Sequence, residues 1–207
     1  MGYSVIPYAV PLTKLRAAIG SKDVKLVQRV SKACSERVLS LDESFADEIA
    51  RGAPTAARAL RELVDGTPRA KGKQAAIYVY ALELVCSVLG ARLSTSALES
   101  PSSDALALLD KVLQAQGVTA FRVENLITGP APVKLPPTPP LSNVATIERA
   151  AITRGLSELK RLDVPALEIP TRDRSLAEGV RDALTEVSEW FAEAHARRGN
   201  GLVTFYY

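Results

Sequence analysis

Side chains able to do chemistry are few and widely spaced in this 207-residue chain. His195 is the sole histidine, which rules out any multi-histidine metal centre, and Cys34 and Cys86 are too far apart in sequence for a zinc-type spacing. His195 falls at the edge of an apolar helical stripe, where a boundary residue is expected rather than a base. A serine triad would have to use it, yet no Gly-x-Ser-x-Gly elbow accompanies it. Both cysteines fall on apolar faces of predicted helices and are expected to be buried, reduced thiols packing as small hydrophobes. The chain is therefore expected to need no metal, disulfide or cofactor.

Three other groupings carry chemical content. Tyr80, Glu83 and Ser87 share one face of an otherwise apolar segment. A carboxylate whose pKa is raised by burial, beside a phenol, is acid/base machinery in principle. In the structural alternative that face meets solvent, or Glu83 pairs with an internal arginine. Residues 66–74 (GTPRAKGKQ) approach a phosphate-binding loop, but five residues rather than four separate the glycine from Gly-Lys, glutamine replaces the hydroxyl residue, and the segment leaves a helix. A solvated basic loop is the expectation. Lys22, Lys25, Arg29 and Lys32 form a basic stripe along about three helical turns, enough to attract phosphates or an acidic protein surface. No aromatic side chain lies among them to stack on a base, which makes nucleic acid an unfavoured partner.

Bulk composition agrees with a folded domain: 47% hydrophobic, 24% charged, net charge +3. The charge is uneven. Residues 1–75 hold 13 Lys and Arg against 8 Asp and Glu, while the remainder holds 13 against 15. The N-terminus shows no basic leader followed by a long apolar core, and no stretch is expected to supply the ~18 apolar residues of a membrane span. A cytoplasmic location with no membrane partner follows as the expectation.

The elements that must position these groups are helical in the middle and extended at both ends. Residues 2–10 (GYSVIPYAV) and 201–207 (GLVTFYY) are rich in β-branched and aromatic residues and are expected to pair. Between them, periodicity predicts a short helix capped by Thr13, a second from Ser21 or Asp23 to about Val38 with Val24, Val27, Val30, Cys34 and Val38 inward, and others near 43–51 and 55–65. A central helix over 74–89, apolar almost all round, belongs in the middle of the molecule. Helices capped by Ser102 or Ser103, and over 149–162 and 175–198, follow, with a third strand around 144–147. The stretch 129–141, with six of the 13 prolines, is expected to be an internal extended connector within a single domain spanning 1–207.

The opening MGYSVIPYAVPLTKLRAAIGSKD, the central YVYALELVC and the ending WFAEAHARRGNGLVTFYY resemble a family of uncharacterised bacterial proteins related to the YfbM-like domain. The resemblance implies a helical body bracketed by an N-terminal strand and a C-terminal helix and strand. It transfers no catalytic residue, and it implies protein binding within bacterial conflict systems.

The resulting expectation is an α+β fold, predominantly helical, with a small sheet containing the first and last strands. The function expected is that of a noncatalytic interaction domain, an immunity or accessory protein that binds an acidic protein through Lys22, Lys25, Arg29 and Lys32. The alternative is a small-molecule-binding protein or enzyme with a pocket near Tyr80, Glu83 and Ser87.

Overall fold

The computed structural model describes residues 4–137 and 143–207. Strands β1 (Val5–Pro11), β2 (Ala91–Arg92), β3 (Asn143–Ile147) and β4 (Asn200–Tyr206) form one antiparallel sheet in the order β2-β1-β4-β3. The terminal strands pair over their whole length, from Val5 opposite Tyr206 to Pro11 opposite Asn200, as their composition predicted. β4 is an interior strand, paired on its other side with β3, the third strand expected from sequence.

Two prolines sit in β1 without breaking it. Ser4 and Tyr207 exchange both backbone hydrogen bonds, so the two-residue alternation turns the amides of positions 4, 6, 8 and 10 toward β4 and positions 5, 7, 9 and 11 away from it. Pro7 and Pro11 occupy the second set, where β2 is only two residues long and an amide donor is not required.

Alternation along the strands sends side chains into two separate cores. Tyr8, Val10, Val144, Val203 and Phe205 face one side, covered by α1 (Leu12–Ala18), α2 (Val24–Ala33), α3 (Ser35–Ser44), α5 (Ala56–Asp65) and α6 (Ala76–Leu89). Val5, Ala9, Ile147 and Leu202 face the other, covered by α7 (Ser103–Ala115), α8 (Arg149–Leu159) and α9 (Arg174–Ala196). A short α4 (Ala46–Ala50) lies between α3 and α5. Neither half of the chain can bury its sheet face without strands from both ends. Close approach is tightest at Gly201, where a Cβ would lie 2.3 Å from Leu12 Cδ1 and 2.8 Å from the Ile147 carbonyl oxygen.

Several local expectations change. Thr13 lies inside α1, whose cap position is Pro11. The predicted second helix divides at Cys34 into α2 and α3; Asp23 caps α2 by accepting from the Leu26 amide. Of the residues expected inward, Val30 is buried and Val27, Cys34 and Val38 pack partly buried against the core; Val24 is 46% exposed, and Leu26, on the other flank of α2, is buried instead. Lys22 is not helical: it precedes the cap with φ +59°. The helical run Gly72–Leu89 does reach the length and composition of a membrane span, 18 residues with mean hydropathy 1.2, contrary to expectation, and ten residues of α6 are buried in the core. Of the proline-rich connector, residues 129–137 are neither helix nor strand, and 138–141 lie outside the described residues.

Candidate functional site

Glu83 is the chemically loaded residue of α6, and it faces inward, 7% exposed. Neither of the expected fates applies, since little of it meets solvent and it makes no ion pair with an arginine among the described residues. Its Oε1 accepts from the Tyr8 hydroxyl of β1 and its Oε2 from the Tyr207 hydroxyl after β4, each at 2.9 Å. Burial, followed by the nearby Glu83 carboxylate, pushes both phenols well above the usual tyrosine value. Tyr80, one turn earlier, stacks on Tyr207 with ring centroids 4.2 Å apart and meets Phe45 edge-on at 5.3 Å.

A cavity of about 750 Å³ opens beside this cluster, lined by Tyr8, Glu83 and Ser87 with Cys34, Arg37 and Arg92. Tyr80 is not among its lining residues. Ser87 Oγ donates to the Leu84 carbonyl and lies 3.4 Å from Cys34 Sγ. The sequence placed Glu83 and Ser87 on one face; it did not reveal Tyr8, Tyr207 or Arg92, which come from strands and depend on sheet register. Cys86, by contrast, is fully buried, and burial followed by Glu83 pushes its thiol up. The two cysteines are unbonded, Cys34 being partly exposed. His195 lies in the last turn of α9 with Nδ1 3.3 Å from Thr153 Oγ1, away from every group above.

The basic residues Lys25, Arg29 and Lys32 are exposed along one side of α2, opposite its buried Leu26–Val30 edge, and Lys22 is exposed just before it. None of the four takes part in an ion pair among the described residues. Other cations do: Arg58 with Glu62, Arg122 with Asp110, Arg174 with Glu178.

A larger cavity, about 830 Å³, has walls from segments that the sequence does not bring together: the end of α1, the 66–72 loop, read from sequence as a solvated basic loop, and the proline-rich stretch, read as a connector. Partly exposed apolar side chains come from Ile19, Val133 and Leu135, with the fully buried Leu63 behind them, and the charged lining residues are Arg16, Arg69, Lys71 and Lys134. Backbone bonds from Gly20 to the Leu63 carbonyl (3.1 Å) and from Lys22 to the Val64 carbonyl (2.9 Å) clamp the end of α1 against the end of α5. Gly66 caps α5 at φ +74°, and a Cβ there would stand 3.0 Å from Gly20 Cα. Beyond it, the buried Tyr78 hydroxyl accepts the Arg69 and Ala70 amides at 2.9 and 3.2 Å while donating to Glu62. Burial alone would raise the Glu62 carboxyl; the bonds from Tyr78 and Arg58 outweigh that and hold it below the usual carboxylate range.

Groups of three or more His, Cys, Asp or Glu able to hold a metal do not occur among the described residues. The arrangement is that of an α+β domain whose antiparallel sheet is covered on both faces, with open cavities beside Glu83 and at the end of α1 and a basic face on α2 that makes no ion pair among the described residues. The chain belongs to the family described as Domain of unknown function (DUF7691), whose model matches residues 1–207. No curated protein matches the chain, and neither does any solved structure.

Proposed function

We propose that this chain is a noncatalytic, cytoplasmic protein-interaction domain that binds an acidic surface of another protein through Lys22, Lys25, Arg29 and Lys32. The relation to the YfbM-like domain, a bacterial origin and a role as an immunity or accessory protein of a conflict system belong to the same proposal. The observation that carries it is the state of those four cations: exposed, close together on and just before one helix, and without an ion pair among the described residues, whereas seven arginines elsewhere pair with carboxylates. Such a face supplies a steering field at the small cost of like-charge repulsion between neighbours on the helix. Glu83, the best candidate for acid/base work, has both carboxylate oxygens engaged by tyrosines, which supports a structural role for it.

Lys25→Glu with Arg29→Glu is expected to leave the circular dichroism and melting temperature nearly unchanged, because exposed charges contribute little to stability. Association with the partner captured from the native host should weaken, mainly through a slower on-rate, and should fall as salt is added. Equal capture by wild type and variant at every salt concentration would refute the proposal. Stabilisation by a metabolite, abolished in Glu83→Gln, would favour the alternative pocket beside Glu83 and Ser87.

A further inference from the structure

We infer that the cavity between the end of α1, the 66–72 loop and residues 132–137 is a binding site for a small amphipathic anion. An apolar body packs against Ile19, Val133 and Leu135, and its carboxylate or phosphate group meets Arg69, Lys71 and Lys134. This site is separate from the α2 face and stands or falls independently of it.

Four observations converge. The volume, about 830 Å³, lies within the range of small-molecule sites, which are mostly apolar with a few placed polar groups. Its charged lining residues are all cations, with no Asp or Glu among them. Of these, Arg16 is already engaged: its Nε donates to the Pro132 carbonyl at 3.2 Å and its guanidinium pairs with Glu148, so it acts as a wall brace linking α1 to the proline-rich segment. Arg69, Lys71 and Lys134 are exposed and make no ion pair among the described residues, which leaves them available to a ligand.

Preorganisation is the fourth observation. The loop bearing Arg69 is fixed at its backbone by the Tyr78 hydroxyl, itself locked to Glu62 in the interior. The floor stays open because the two facing positions, Gly20 and Gly66, are both glycine with φ of +80° and +74°. A side chain at Gly66 would be strained and would stand against Gly20. A site whose walls are held before the ligand arrives loses less on ordering when it binds.

The test is calorimetric titration of the full chain with decanoate and with decyl phosphate, each below its aggregation concentration, beside decanol as the uncharged analogue. Saturable one-to-one binding of at least one anion, weakening with added salt and exceeding that of decanol, is expected; which of the two binds tighter identifies the head group. Arg69→Glu with Lys71→Glu should weaken it about tenfold, the equivalent of losing two exposed ion pairs. Lys134→Glu, on a segment outside helix and sheet, should weaken it without disturbing the fold, and serves if the double variant proves unstable. Lys25→Glu with Arg29→Glu should bind as wild type does. Absence of saturable binding by both anions, equal affinity for decanol, or an equal loss in the α2 variant would each overturn the inference.

Discussion

The Tyr8 hydroxyl on β1 donates to Glu83 Oε1 on α6 at 2.9 Å, while the other oxygen of the same carboxylate accepts from Tyr207, so one side chain ties the covering helix to both terminal segments. A carboxylate oxygen in so little water must be hydrogen-bonded, and two phenols satisfy it without a counter-charge. Two consequences follow, one for stability and one for titration.

Removing the acceptor should cost more than removing either donor. Glu83→Ala strands the buried Tyr8 hydroxyl and the half-buried Tyr207 hydroxyl, at about 1–3 kcal/mol for a fully buried unsatisfied group and less for the half-buried one. Tyr207→Phe should cost less, because Glu83 keeps Tyr8 and the phenyl ring still stacks on Tyr80. Urea denaturation of the three proteins tests the order. A Glu83→Ala chain as stable as wild type would show that the cluster adds nothing to the fold.

Acid should destabilise the protein through Glu62 and Asp110. Both carboxyls are held below their ordinary values, Glu62 by its bonds from Tyr78 and Arg58 against burial, Asp110 first by the hydrogen bond from Arg122. The unfolded chain therefore takes up these protons first as pH falls. Their stabilisation is complete above the ordinary carboxylate range of about 4 and is withdrawn as pH drops through it and below. Glu62 is largely buried and should dominate; the Asp110 pair with half-exposed Arg122 is screened and should contribute less. Melting temperature against pH in Glu62→Gln and Asp110→Asn should show a flatter acid limb, more so in the first.

The pairing of β1 with β4 was legible because strand composition and a turn at Gly199 pointed the same way; residues 2 and 3 of the expected first strand lie outside the described residues. The sequence could not show that β4 is interior, or that α2 stops at Cys34, since both depend on what packs alongside. The inward face of this helical run is legible through Val27, Val30, Cys34 and Val38, but its flank is not: Val24 and Leu26 are both apolar, and periodicity alone does not decide that Leu26 is covered while Val24 is exposed. Tyr80 and Glu83 illustrate the same limit at the candidate site: helical spacing put them on one face, but strand register decided that Glu83 meets Tyr8 while Tyr80 stacks on Tyr207. The larger cavity was illegible because its cations come from the 66–72 loop and the proline-rich stretch, more than 60 residues apart by sequence number and joined only by the fold.

Alkali should act through the tyrosines. Burial and the neighbouring carboxylates raise Tyr8 and Tyr207 through Glu83 and Tyr78 through Glu62. The fold then holds these protons more tightly than the unfolded chain does. Their contribution is intact below the ordinary tyrosine value of about 10 and is lost as pH rises past it. Absorbance of tyrosinate during alkaline titration should show a reversible early phase and a later cooperative one coincident with loss of circular dichroism. A single gradual phase accounting for all six tyrosines while the fold persists would contradict the assigned burial.

Deleting residues 202–207 should abolish cooperative folding rather than merely lower its midpoint. β4 lies between β1 and β3, so its loss removes hydrogen bonds from both neighbours and leaves β3 without a partner in the sheet. It also strips Leu202 from one core and Val203 and Phe205 from the other, all with no exposed surface. Each fully buried side chain is worth about 1.5–3 kcal/mol, so these three alone approach the lower part of a domain's total of about 5–15 kcal/mol. Deleting Tyr207 alone removes its hydrogen bond to Glu83, the two backbone bonds it exchanges with Ser4 and the ring stacked on Tyr80, and should leave a cooperative transition at a reduced temperature. Differential scanning calorimetry of the two truncations separates these outcomes. A six-residue truncation that still unfolds in one sharp transition near the wild-type temperature would mean that the sheet does not depend on β4, and with it the argument that the two cores share the chain's last strand.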